Sequence, residues 1–206
     1  LLLAGQLPTE AELTRFHALL MQDAELPKHF IQDIILRSPS ENIMNVLSRA
    51  VLALYSYDPD AESFSSEAAL RQSIRLIAAM PKMMVAAYES KLYAIDNKDM
   101  HFHKHDETRS VAENILMMLR DDRQYTHREA TLLDLCMVLH ADHGGGNNST
   151  FTVRTLTSAL TDTYSAISAG IGSLKGFRHG GANYKVTEML DGIRRAVRHP
   201  ADKAEV

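Results

Sequence analysis

The sequence predicts an all-α fold, and three of its features carry that prediction. Apolar residues recur at helical rather than alternating spacing through nearly every segment. The breaks between those segments are short. Two capping boxes, Thr9-Glu10-Ala11-Glu12 and Thr126-His127-Arg128-Glu129, stand directly before apolar-periodic runs, where a hydroxyl takes the amide three residues on and the glutamate reaches back.

The totals narrow the setting. At 206 residues the chain can build one sizeable core, and it is read as a single helical domain over residues 1–206. A formal net charge of −4 with both signs interspersed argues against nucleic acid and against an electrostatic membrane anchor, so the expected partner is a small molecule. The single cysteine, Cys136, lies inside an apolar run and has no partner for an internal disulfide. It is therefore expected in the core, in a reducing and cytoplasmic compartment. Leu1 to Gly5 fit neither a signal peptide nor a membrane span and read as the end of a helix begun earlier, while Ala201 to Val206 are polar. The chain reads as an excised piece.

Taken in order, the Thr9 box opens a helix to about Gln22, and Pro27 suits the first turn of the next, with Phe30, Ile31, Ile34 and Ile35 on one side. Ser38-Pro39-Ser40 ends it. Ile43 to Leu54 carries a wide apolar stripe, and Tyr57-Asp58-Pro59-Asp60 supplies a turn. Ser66 to Met80 and Lys82 to Tyr93 are helical stretches that Pro81, which lacks a backbone donor, should kink or break, and a bent helix packed in the core is expected. Asn97 to Thr108 has no apolar period, contains His101, His103 and His105, and reads as a functional loop. Ser110 starts a helix with Val111, Ala112, Ile115, Leu116 and Leu119 inward. The Thr126 box opens a helix that is apolar nearly all round from Leu132 to Leu139, which predicts burial on every side. From Thr150 to Leu174 small residues dominate and let helix backbones approach closely, and Gly180-Gly181 leads into a last helix to about Val197.

Chemistry concentrates in two glycine-rich turns. The first reads His140-Ala-Asp142-His143-Gly-Gly-Gly-Asn147-Asn-Ser149-Thr150, and the second Gly176-Phe-Arg-His179-Gly180-Gly181-Ala182-Asn183. Glycine lets backbone crowd a ligand while rigid helices hold the side chains. Both motifs resemble those of the citrate synthase family. Further matches follow in family order over essentially the whole chain: the opening Leu-Leu-Leu-Ala-Gly-Gln-Leu-Pro-Thr, Ala53-Leu54 to Tyr57-Asp58-Pro59, Ser110-Val-Ala-Glu-Asn114-Ile-Leu, and Ser165-Ala-Ile-Ser-Ala-Gly-Ile-Gly.

The resemblance implies a multi-helical citrate synthase-like large domain, truncated at both ends, with its last helix leading toward a small domain outside the chain. It implies a homodimer that condenses acetyl-CoA with oxaloacetate, with acetyl-CoA as co-substrate and no permanently bound cofactor. By this match His143 hydrogen-bonds the acetyl thioester oxygen and His179 holds and polarises the oxaloacetate carbonyl. Ser110 matches a serine that orients the first histidine, and Leu174, Lys175, Gly176, Phe177 and Arg178 match a backbone segment that touches CoA. The family's catalytic aspartate and carboxylate-binding arginines fall after Val206, so the isolated piece is expected to be inactive. Phe177 stands where a proline is common.

The chemistry fits these residue types. A thioester α-carbon is a poor acid, and a donor aimed at the developing oxyanion is worth on the order of 3 kcal/mol. Histidine can supply that donor and also return a proton near neutrality. His179, read as preceding a helix N-terminus, suits a neutral hydrogen-bond donor.

Blander readings stand beside these. A histidine at a helix C-terminus is usually a dipole cap, and His140 is expected to be a structural hydrogen-bonder. Asp142 is expected to tie down its turn, and Gly144 to Gly146 lack the Lys-Ser/Thr of a phosphate loop. No metal is assigned: neither His101, His103 and His105 nor His140, Asp142 and His143 has the pattern of convergent zinc ligands. Within the same chemistry the alternative is 2-methylcitrate synthase, which takes propionyl-CoA. Outside it, the alternative is a non-catalytic helical domain that binds a partner or metabolite.

Overall fold

The computed structural model describes residues 5–141 and 146–197, leaving aside the side chain of Asn183. All regular structure among the described residues is helical. Helix α1 spans Glu10–Asp23 and begins on the expected Thr9 capping box. A π-helical segment, Ile31–Leu36, follows, then α2, Ile43–Leu54, and a single 3₁₀ turn, Tyr55–Tyr57. Helices α3, Ser66–Ala94, and α4, Val111–Leu119, flank the irregular histidine loop. Then come α5, His127–Ala141, α6, Asn148–Ser158, α7, Thr163–Lys175, and α8, Phe177–Ala196.

One main core joins the π-helical segment, α2, α3 and α7 through Phe30, Ile35, Val51, Leu54, Met83 and Tyr164. The stripe read from Ile43 to Leu54 supplies much of it. Small residues bring α2 and α7 together as expected: Ser48 Oγ donates to the Ser168 carbonyl at 3.0 Å and Ser168 Oγ to the Ser48 carbonyl at 2.8 Å. Between α6 and α7 the fit is closer still, since a Cβ on Gly170 would lie 2.7 Å from a Val153 methyl. Polar ties hold the far end. Tyr164 is fully buried and its hydroxyl donates to Asp58 at 2.7 Å, while buried Gln72 accepts from Thr163 and donates to the Asp60 carbonyl.

The structure corrects two expectations and decides between the two readings at Pro81, where helix α3 continues rather than breaks. An interior proline costs about 3 kcal/mol, but Leu76, Met83 and Val85 of the same helix are buried, and each large apolar side chain buried returns about 1.5–3 kcal/mol. Helix α5 is not buried on every side. Of its residues only Ala130 is buried, and Leu139 is 75% exposed. The helix packs chiefly against α4, and apolar character reports that a face seeks a cover, not that this chain's own core provides it. Cys136 rides on the same helix and is exposed rather than in the core. No helix of the described residues is long and apolar enough to cross a membrane.

Candidate active site

The site is assembled where α6, α7 and α8 meet. Asn147 caps α6, its Oδ1 accepting from the Ser149 amide at 2.8 Å and the Thr150 amide at 3.1 Å. This fixes the first turn of α6. Asn148 then donates from Nδ2 to Ser173 Oγ at 2.8 Å, tying that turn to the end of α7. A single residue, Gly176, separates α7 from α8 with φ −60° and ψ 130°, serving as the C-cap of one and the N-cap of the other.

His179 is the third residue of α8 rather than a residue ahead of it, because the helix starts at Phe177 and runs through Gly180 and Gly181. Glycine is required at 180 by packing: a Cβ there would collide with the Leu174 carbonyl. The His179 ring turns toward α6, where Nε2 lies 2.8 Å from Ser149 Oγ. With Nε2 engaged, Nδ1 is the nitrogen left for a ligand. Gly146, Asn147, Asn148, Arg178 and His179 line an open hollow of about 560 Å³. A guanidinium, an imidazole and the positive end of α8 on one hollow suit an anionic ligand.

The other sequence-derived residues fall as follows. His143, with Asp142, Gly144 and Gly145, lies outside the described residues. Ser110 caps α4, accepting from the Glu113 amide at 3.2 Å while its own amide donates to Glu113 at 2.8 Å. Leu174, Lys175, Gly176, Phe177 and Arg178 are all exposed at the α7–α8 junction, with Phe177 70% exposed. That is an accessible, partly apolar edge beside His179. His140 Nδ1 sits 2.7 Å from the Cys136 carbonyl, the structural bond expected of it. Sequence reasoning assigned no role to Ser149; the signal available was a hydroxyl in the first turn of a helix capped by Asn147. No group of three or more His, Cys, Asp or Glu residues able to hold a metal ion gathers among the described residues.

This geometry can be set beside known proteins. Residues 1–205 match the family model described as citrate synthase, C-terminal domain. The chain is 37% identical to a citrate synthase of Deinococcus radiodurans over 204 residues, covering 99% of this chain and 51% of that protein. It is 35% identical to citrate synthase 2 of Bacillus subtilis, with 91% and 49% covered. The fold superposes on the crystal structure of citrate synthase from Pyrobaculum aerophilum with a TM-score of 0.78 at 27% identity, covering 96% of this chain and 51% of that one. An all-helical architecture with a histidine at a glycine-rich helix junction therefore belongs to a known class. The chain is a member of the citrate synthase family, and it spans about half the length of the relatives it matches.

Proposed function

We propose that this chain is the central, mostly large-domain part of an acyltransferase that condenses acetyl-CoA with oxaloacetate to give citrate and CoA. One observation carries the reading: His179, anchored by Ser149, lines an open hollow with Arg178 in a chain of the citrate synthase family. In this reaction a base takes a methyl proton from the thioester, the resulting enol or enolate carbon bonds to the ketone carbon, and the ketone oxygen gains a proton. Water then cleaves the thioester and releases CoA. His179 donates to the ketone oxygen, making its carbon electrophilic and holding the charge that develops there. His143 donates to the thioester oxygen, and Ser110 orients it. The exposed segment from Leu174 to Arg178 is the edge along which CoA lies.

The reading carries with it a cytoplasmic homodimer with no permanently bound cofactor. Its relatives are citrate synthases, which favours acetyl-CoA over propionyl-CoA. The full-length protein is assayed for thiol release from acetyl-CoA with oxaloacetate, beside propionyl-CoA. Release with acetyl-CoA supports the proposal; faster release with propionyl-CoA moves it to 2-methylcitrate; silence with both leaves a helical binding domain.

A further inference from the structure

A second hollow, of about 700 Å³, shares no lining residue with the one at His179. It opens between residues 25–36, the Lys82–Ala86 part of α3 and the loop 100–105. We propose that it is a binding site for a carboxylic acid with an apolar tail.

The lining is mostly apolar, with buried Phe30, Val85, Ala86 and Met118 among its residues, as in sites that take a small organic molecule. Its charges are unbalanced. Lys28, Lys82 and Lys104 face a single carboxylate, Glu25, and that carboxylate is taken by Lys82 at 3.0 Å. Lys28 and Lys104 are left with no ion pair among the described residues.

Two imidazoles on this lining carry ring nitrogens without a hydrogen-bond partner. The side chain of His105 is 3% exposed and neither ring nitrogen has a hydrogen bond; its Nδ1 stands 3.5 Å from Glu25 without bonding geometry. In His103, Nδ1 accepts from Arg123 Nε at 2.9 Å. A guanidinium can only donate, so the proton of that ring sits on Nε2, which is buried with no acceptor. Burial also pushes the His105 pKa down, and the N–H of its neutral ring makes no hydrogen bond, the carboxylate of Glu25 at 3.5 Å being already engaged by Lys82. Buried polar groups in native proteins are nearly always paired. What is missing here is an acceptor, and a carboxylate supplies two acceptor oxygens.

Two backbone features reinforce the assignment. The segment Ile31–Leu36 is π-helical, and His29 holds a left-handed φ of 64°. Both conformations are costly and concentrate at binding sites. A metal cation does not fit, because Arg123 already covers a His103 nitrogen and Lys82 the Glu25 carboxylate.

The test uses the full-length protein, ¹⁵N-labelled at histidine, titrated with octanoate, acetate and octylamine. The expected result is a saturable shift of the His103 and His105 ring signals with octanoate, weakened about fivefold by Lys104→Glu, with far weaker effects from acetate and octylamine. Unmoved imidazoles, or octanoate acting no more tightly than acetate or octylamine, overturn the proposal. The outcome is independent of thiol release, so this site and the condensation chemistry stand or fall separately.

Discussion

Ser149 Oγ and His179 Nε2 lie 2.8 Å apart, joining α6 to α8 across thirty positions of sequence. The hydroxyl bonds one ring nitrogen and leaves Nδ1 for a ligand, as the proposed condensation requires. Removing it in Ser149→Ala frees the ring, and under that proposal a misplaced donor costs rate steeply. In the full-length protein kcat for thiol release falls about tenfold or more, Ser149→Thr retains most of the activity, and the ¹⁵N shifts of His179 move only in the alanine variant. Unchanged shifts in Ser149→Ala would refute the positioning role.

Tyr164→Phe tests the buried tie at the start of α7. The Tyr164 pKa is pushed up strongly, first by burial and then by its bond to Asp58, so the hydroxyl stays a donor throughout the accessible range. Deleting it leaves Asp58 short of a partner and lowers unfolding free energy by about 1–3 kcal/mol. Urea denaturation at neutral pH measures this, and a midpoint equal to wild type counts against it.

Backbone crowding predicts that Gly180→Ala is far worse than Gly192→Ala. Both glycines lie in α8, but a methyl at 180 meets the Leu174 carbonyl while one at 192 meets nothing within 4 Å. The first loses about 1–3 kcal/mol to overpacking, and the second gains up to about 1 kcal/mol from helix propensity. Paired thermal melts decide it, and equal melting temperatures would remove the packing account.

The start of α5 should be acid-sensitive. The Glu129 pKa lies at about 2, below its ordinary 4.5, chiefly because Arg120 bonds it and secondarily because it accepts from the Thr126 amide and hydroxyl. A carboxyl with a depressed folded pKa stabilises the fold above its unfolded value and loses that contribution as pH falls toward the folded one. The capping of α5 therefore weakens between about pH 4.5 and 2. Following Glu129 Cδ by NMR through that window checks the value, and Arg120→Met should return it toward the ordinary carboxylate range.

The helices themselves were legible because capping boxes and apolar periods are local. Thr9 and Thr126 each cap where the sequence placed them. Pro81 left a kink and a break both open because the burial that keeps the helix continuous comes from partners distant in sequence. Leu132, Leu135 and Cys136 misled, since a local pattern names an apolar helix but not what covers it. The same limit hid the π-helical register of Ile31–Leu36, whose side chains would space almost alike in an α-helix. At the site, the glycine-rich motif located His179, while Ser149 emerged only once α6 and α8 were adjacent.

The junction at Gly176 has a mechanical consequence. Two torsions of one residue set the angle between α7 and α8, so tilting α8 pivots it there. Arc length grows with distance from the fulcrum, at about 1.5 Å of axis per residue. His179 sits three positions from Gly176 and barely sweeps, whereas Ala196 swings through a wide path. The far end of the lever can travel with whatever it carries while the imidazole keeps its aim.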